Sequence, residues 1–201
     1  MYTSAAFRYI PNLLTVGRIL VTPLLLLLLS IPSQAGQMSA VVLFVLASLT
    51  DYYDGLLARR FGARSRLGQY LDPLADKVLI LGTFIALAVE APDLVPWWAV
   101  LAIALRDVIV TGLRTWAEAY GQTLHTHRLA KGKTMLQAAF LFGVLTLRAA
   151  THFSPPLRDA ARWLLYDSDV PGLALTVVVG FTVATGALYV LAPVEEKMEM
   201  D

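Results

Sequence analysis

The chain of 201 residues contains no cysteine. That excludes disulfides, zinc–thiolate sites and a cysteine nucleophile. Charge is also scarce: Asp, Glu, Lys and Arg make up 15%, against about a quarter in ordinary soluble domains. Apolar residues make up 57%, and the mean hydropathy is +0.63. So little charge among so many apolar residues points to lipid as the surrounding medium. The net charge of +1 says little as a total, and no nucleic-acid partner is expected. Long linkers, low-complexity segments and internal repeats are missing too, and the length suits a single domain, residues 1–201. The apolar run 19–31 lacks a small-residue cleavage site, so it reads as a retained first span and not as a signal peptide.

What is present is a series of apolar stretches near the roughly 20 residues that a helix needs to cross the hydrocarbon. They predict an all-α integral membrane protein with six spans, at about 13–31, 39–59, 72–89, 95–116, 133–150 and 172–192. Lysine and arginine concentrate on one side. Arg59, Arg60, Arg64, Arg66 and Lys77 follow the second span, and Arg114, Arg128, Lys131 and Lys133 follow the fourth. The connection 31–38 carries no charge, and 90–96 carries only Glu90 and Asp93. By the positive-inside bias both termini are cytoplasmic. The connection 149–171 departs from the pattern with Arg158 and Arg162, and its stretch 157–166, holding Trp163 and Tyr166, reads as a short interfacial helix. The acidic C-terminal tail, with Glu195, Glu196 and Glu199, is expected to be disordered.

Four aspartates lie at the cytoplasmic ends of the second and third spans: Asp51, Asp54, Asp72 and Asp76. Ionisable groups at membrane depth are costly and mark function by default. Four carboxylates at one place repel one another and take up protons unless a positive charge holds them. A pair of divalent cations would do so, and all-oxygen ligation suits Mg2+ or Mn2+. The spacing supports a shared site. Asp51 and Asp54 share a helix face, and Gly55 and Ala58 leave a hollow beside them. Gly68, Asp72 and Asp76 recur every fourth residue, and Pro73 suggests that the helix starts near Asp72. The basic segment 59–66 between the two spans suits phosphate or lipid headgroups. The plainer alternative is a set of helix caps and paired surface charges. His125-x-His127 has no nearby carboxylate and reads as part of a polar loop.

From Asp51 to Asp76 the residues read D-x2-D-G-x2-A-R-x8-G-x3-D-x3-D. This resembles the signature of the CDP-alcohol phosphotransferase family. The resemblance implies a six-helix membrane fold, usually a homodimer, with a polar cavity facing the cytoplasm. It implies that Asp51, Asp54, Asp72 and Asp76 hold two metals and that Asp76 is the base. It also implies that Gly55, Arg59 and Ser65 contact a CDP-lipid, with Ala58 and Gly68 making room for the nucleotide. In PNLLTVGR, Asn12 and Thr15 match the family's other nucleotide-lipid contact.

Further cations follow. Arg106 falls about nine residues after Trp98, roughly mid-depth at 1.5 Å per residue. Arg106 and Arg114 share a stripe, and Lys131 and Lys133 open the fifth span. Four cations directed to one place would suit a second phosphate, carried by the acceptor. The stretches RDVIVTGLR and KGKTMLQ resemble the bacterial branch of the family that uses CDP-diacylglycerol and sn-glycerol 3-phosphate, which places the chain in an inner membrane. Asp107 stands where that branch more often has Glu. Inositol phosphate, serine or phosphatidylglycerol as acceptor, and a membrane transporter, are the alternatives. Asp76→Asn is expected to abolish CMP release while leaving CDP-lipid binding largely intact; full activity in that variant would refute the assignment of the base.

Overall fold

A computed structural model describes the backbone of residues 6–61, 66–120, 122–123, 129–191 and 195–196. It describes side-chain surroundings for residues 17–50, 77–117, 119–120 and 132–191. The architecture is all-α. Six long helices, α1 (Ala6–Leu29), α2 (Gln34–Phe61), α3 (Arg66–Glu90), α4 (Trp97–Ala119), α5 (Leu129–Ala150) and α7 (Val170–Leu191), run back and forth. The short α6 (Leu157–Arg162) continues into a π-helical turn, Trp163–Asp167, where the sequence predicts an interfacial helix. The tail differs from expectation: Glu195–Glu196 forms a two-residue strand β2, antiparallel to β1 (Gln122–Thr123). Backbone pairing with the α4–α5 connection gives those tail residues the partners that composition alone does not reveal.

Each long helix has between 22 and 28 residues, which at 1.5 Å per residue is about 33–42 Å and exceeds the hydrocarbon thickness of roughly 30 Å. Five of them begin within about six residues of the sequence expectation. The third starts at Arg66, so Pro73 does not open α3 but lies inside it. Among the described residues, Val170–Leu191 is apolar and long enough throughout to cross a membrane, and shorter apolar segments occupy Gly17–Leu29 and Gln34–Thr50.

The outer surface differs from that of a soluble bundle, and several polar groups lie inside. Leu20, Leu24 and Leu27 on α1, Leu101 and Leu105 on α4, and Leu173, Val177 and Leu188 on α7 all face outward. Arg18, Gln37, Arg106, Gln137, Thr182 and Thr185 are buried. Outward aliphatic faces on every side are what lipid favours and water penalises. Several inward hydroxyls donate one turn back along their own helix, as Thr22 does to the Arg18 carbonyl at 3.0 Å and Thr83 to the Leu79 carbonyl at 2.7 Å. This satisfies them without water. The apolar core between these polar groups is built on Leu25, Phe44, Phe84, Leu87, Leu141 and Leu145. Phe84 on α3 stacks on Phe140 of α5 at 5.9 Å between centroids. Helix α1 packs on α2 and α3, α5 packs on α2 and α7, and α4 packs on α7 and α3.

One end of the bundle is fastened by a polar latch. Glu90, the last residue of α3, accepts from Arg148 Nη2 of α5 at 2.8 Å and from Ser30 Oγ at the end of α1 at 2.7 Å. Gln37 of α2 donates Nε2 to the Leu29 carbonyl at 2.7 Å and the Ile31 carbonyl at 3.1 Å, closing the C-terminus of α1. Four helix ends are joined in this way. Gly36 lets the α1–α2 turn close, because a Cβ there would stand 2.9 Å from the Ile31 side chain. Removing one member of a largely buried ion pair strands the other. Glu90→Gln should therefore lower the thermal midpoint of the detergent-purified protein, by an equivalent of about 2–4 kcal/mol. The double variant Glu90→Gln/Arg148→Met should recover part of that loss; additive losses would mean that the two residues are not coupled.

Candidate active site

The α2–α3 connection sets where the aspartates fall. Asp51 and Asp54 lie in the last turns of α2, and Asp72 and Asp76 in the first turns of α3. Only residues 62–65 separate the two helices, so all four positions belong to the same end of the bundle, opposite the Glu90 latch. The side chains of these four aspartates, and those of Asn12, Thr15, Gly55, Ala58, Arg59, Gly68 and Lys131, lie outside the described residues, as do Ser65, His125 and His127 altogether. As a donor set, four carboxylates in a chain without cysteine fit a hard divalent cation and not zinc.

The described part of the site begins with the residue after Asp76. Lys77 on α3 donates through Nζ to Thr111 Oγ1 on α4. Thr111 in turn donates to the Asp107 carbonyl at 2.6 Å. One turn further into the bundle, Lys133 Nζ of α5 pairs with Asp107 Oδ1 of α4. The same carboxylate oxygen accepts from Arg106 Nη1 at 3.1 Å. Lys77, Asp107, Lys133, Thr134 and Gln137, with Ile80, Leu81 and Ile103, line a cavity of about 160 Å³. The cavity thus lies among α3, α4 and α5, and its wall starts next to the last aspartate of the signature.

Arg106 is placed differently from the expectation that it contacts an acceptor phosphate. It is buried, with Nε donating to the Thr182 carbonyl at 3.2 Å and Nη2 to Thr185 Oγ1 at 3.4 Å. Its guanidinium also lies 5.9 Å from the ring centre of Tyr189. These partners are all on α7, so the guanidinium braces α4 against α7 and, through Nη1, holds Asp107 from behind. A small residue is required opposite it: a Cβ on Gly186 would stand 2.7 Å from Arg106 Cγ. Gln137 extends the same polar layer by donating to Thr182 Oγ1 at 3.0 Å. Of the other expected acceptor contacts, Lys133 lines the cavity and Arg114 is exposed on the last turns of α4. Sequence reasoning missed Lys77 and Gln137 as cavity residues. The available signal was spacing: Lys77 directly follows Asp76, and Gln137 lies one turn beyond Lys133.

A second opening, of about 240 Å³, lies between α1 and α2. It is lined by Gly17, Arg18, Val21, Leu43, Leu46, Ala47 and Thr50, and it ends beside Asp51 in the chain. A larger one, of about 610 Å³, opens at the latch end near Asp93 and Tyr166, remote from the aspartates.

The family model described as CDP-alcohol phosphatidyltransferase matches residues 8–188. The chain belongs to that family. A protein of Rickettsia typhi named CDP-diacylglycerol–glycerol-3-phosphate 3-phosphatidyltransferase is 33% identical over 183 residues, covering 90% of this chain and 95% of that protein. Proteins of the same name from Yersinia pestis and Rickettsia bellii are 36% and 37% identical over 141 and 140 residues. Those matches cover 68% and 69% of this chain, and 76% and 75% of the relatives. As a CDP-alcohol phosphatidyltransferase, the chain carries the family's aspartate signature on α2 and α3 and a cation-lined cavity beside its last aspartate. The bracing of that cavity is open to test. Gly186→Ala must displace Arg106, at a cost of about 1–3 kcal/mol by overpacking. The variant is expected to unfold at lower temperature and to show a higher KM for the acceptor, with the KM for the CDP-lipid little changed.

Proposed function

We infer that this protein transfers the phosphatidyl group of CDP-diacylglycerol to sn-glycerol 3-phosphate, releasing CMP and forming phosphatidylglycerophosphate for phospholipid synthesis. The relatives that align along most of the chain carry the name of that reaction. The observation that carries the acceptor is the cavity that opens next to Asp76 and is lined by Lys77 and Lys133. The donor's pyrophosphate has the aspartate-bound ions as its counter-charge, so the cations on α3 and α5 suit a second phosphate, which would compete for them with Thr111 and Asp107.

In this reading Asp51, Asp54, Asp72 and Asp76 hold two Mg2+ or Mn2+ ions, which supply the positive charge that the donor's pyrophosphate requires. Asn12, Thr15, Gly55, Arg59 and Ser65 bind the CDP-lipid, with Ala58 and Gly68 leaving room for the nucleotide. The apolar groove between α1 and α2 takes an acyl chain. Lys133, Lys131 and Arg114 orient the acceptor's phosphate, and Arg106 acts at one remove by holding Asp107. Asp76 accepts the proton of the acceptor's hydroxyl. The hydroxyl oxygen attacks the phosphorus that bears diacylglycerol, and the bond from that phosphorus to CMP breaks. No residue requires a covalent intermediate.

The outward aliphatic faces and the lengths of the six long helices support a multi-pass placement in the inner membrane. By the charge bias, the termini and the aspartates lie on the cytoplasmic side. The homodimer implied by the sequence resemblance belongs to the same reading. The experiment is a reaction of the purified protein with CDP-diacylglycerol and, in turn, glycerol 3-phosphate, inositol phosphate, serine and phosphatidylglycerol. CMP and the lipid product are measured with Mg2+, with Mn2+ and with chelator. Turnover with glycerol 3-phosphate alone, lost on chelation, is the expected result; equal turnover of serine, or none with glycerol 3-phosphate, would defeat the acceptor assignment.

A further inference from the structure

We propose that Asp107 is the specificity-determining group of the acceptor cavity. Its carboxylate neutralises Lys133 before the acceptor arrives, yields Lys133 to the acceptor's phosphate, and then accepts a hydrogen bond from an acceptor hydroxyl. The proposal rests on the acceptor reading above.

Four observations carry it. First, Lys133 and Asp107 are paired with side chains only 12% and 14% exposed, so the carboxylate competes with an incoming phosphate for this ammonium. An ammonium has three donors, but two anions side by side on it repel, so an arriving phosphate weakens the Asp107 contact. Second, Asp107 can release Lys133 without becoming an isolated charge. Arg106 Nη1 remains on the same oxygen at 3.1 Å, and Arg106 is itself fixed to Thr182 and Thr185. Third, the partner that gives way is a lysine, a point charge on a flexible four-carbon stem with rotatable donors, whereas the rigid guanidinium stays. Fourth, the cavity measures about 160 Å³ and combines polar Thr134 and Gln137 with aliphatic Ile80, Leu81 and Ile103. That is below the usual few hundred Å³ of a site for a drug-sized ligand and suits a short polyol phosphate.

The consequence is selectivity for hydroxyl-bearing phosphates. Inorganic phosphate displaces the carboxylate and offers it no alcohol in return. Glycerol 3-phosphate displaces it and supplies a hydroxyl donor to a charged acceptor, which makes the stronger class of hydrogen bond. Asp107 thus turns a general anion site into one that requires both groups on the same molecule.

The test is calorimetric binding of inorganic phosphate, propyl phosphate and sn-glycerol 3-phosphate to the full-length protein in detergent, without donor lipid. For the wild type the expected order is glycerol 3-phosphate tighter than either of the others by about tenfold or more. For Asp107→Asn, inorganic phosphate is expected to bind about tenfold tighter than to the wild type, a change equivalent to roughly 1.4 kcal/mol. The preference for glycerol 3-phosphate should collapse in that variant, and Asp107→Glu should restore it. Unchanged or weaker phosphate binding in an Asn variant that unfolds at the wild-type temperature would overturn the proposal. So would equal affinity of the wild type for propyl phosphate and glycerol 3-phosphate, a result that needs no variant to fold. Turnover of glycerol 3-phosphate with either of these results overturns the role of Asp107 alone; absence of turnover overturns the reaction itself.

Discussion

A guanidinium inside an apolar bundle must be matched where it stands, because no water is at hand to match it. Arg106 meets that constraint with α7: a carbonyl, a hydroxyl and an aromatic face lie on one side of it, and the Asp107 carboxylate on the other. From this one residue a polar layer spreads across three helices. Asp107 engages Lys133 on α5, and Thr182, whose carbonyl receives Arg106, receives Gln137 through its hydroxyl. Such a layer adds little net stability compared with well-packed apolar residues, but its members fit together in only one register. Sliding α5 or α7 by a turn would leave a charge or an amide in hydrocarbon without a partner. The layer therefore fixes the geometry of the cavity that it borders.

The two ends of the bundle divide the remaining work. At one end Glu90, Arg148, Ser30 and Gln37 satisfy helix termini and charges with one another. At the other end α2 and α3 bring four carboxylate-bearing positions to one place, which is destabilising in the absence of cations. Carboxylates grouped at one end would repel one another, so the cohesion of the bundle has to come from elsewhere. Here it comes from the latch end and from the apolar core around Phe84 and Leu141.

Much of this was legible in the sequence because lipid makes hydrophobic run length informative. The run lengths predict six membrane-spanning helices; six long helices form, of which Val170–Leu191 is apolar and long enough throughout to cross a membrane, and the segment 157–166, marked by Trp163 and Tyr166, forms α6 and the turn after it. The aspartate signature was readable because its spacing is local, within one helix or across one short turn. The misjudged features depend on what lies across the bundle. Pro73 suggests a helix start, since local rules disfavour proline inside a helix, yet α3 begins at Arg66. The acidic tail was expected to be free, but Glu195–Glu196 pairs with residues far away in sequence. Arg106 reads by its depth and charge as a ligand contact; the partners that hold it, Thr182 and Thr185, stand some eighty residues away and carry no signal of their own. Lys77 was counted with the basic residues that set topology, because nothing in its neighbours shows that Thr111 stands opposite.

That last case shows how topology and chemistry can be separated when both call for the same residue type. A cytoplasmic bias in lysine and arginine would place cations at this end whatever the protein did. Burial and pairing distinguish the two causes. Arg158 and Asp159 at the opposite end form an ion pair with side chains 40% and 62% exposed, the condition of charges that solvent largely screens and that contribute little. Lys133 and Asp107 are 12% and 14% exposed and border a cavity. Withdrawing both from water carries a penalty that a residue serving only topology would avoid by pointing outward. The pair is retained inside the bundle, on the wall of the cavity that Lys77 also lines. Burial and pairing therefore mark Lys133 and Asp107 as candidates for chemistry, whereas the exposed Arg158 at the latch end needs no such explanation.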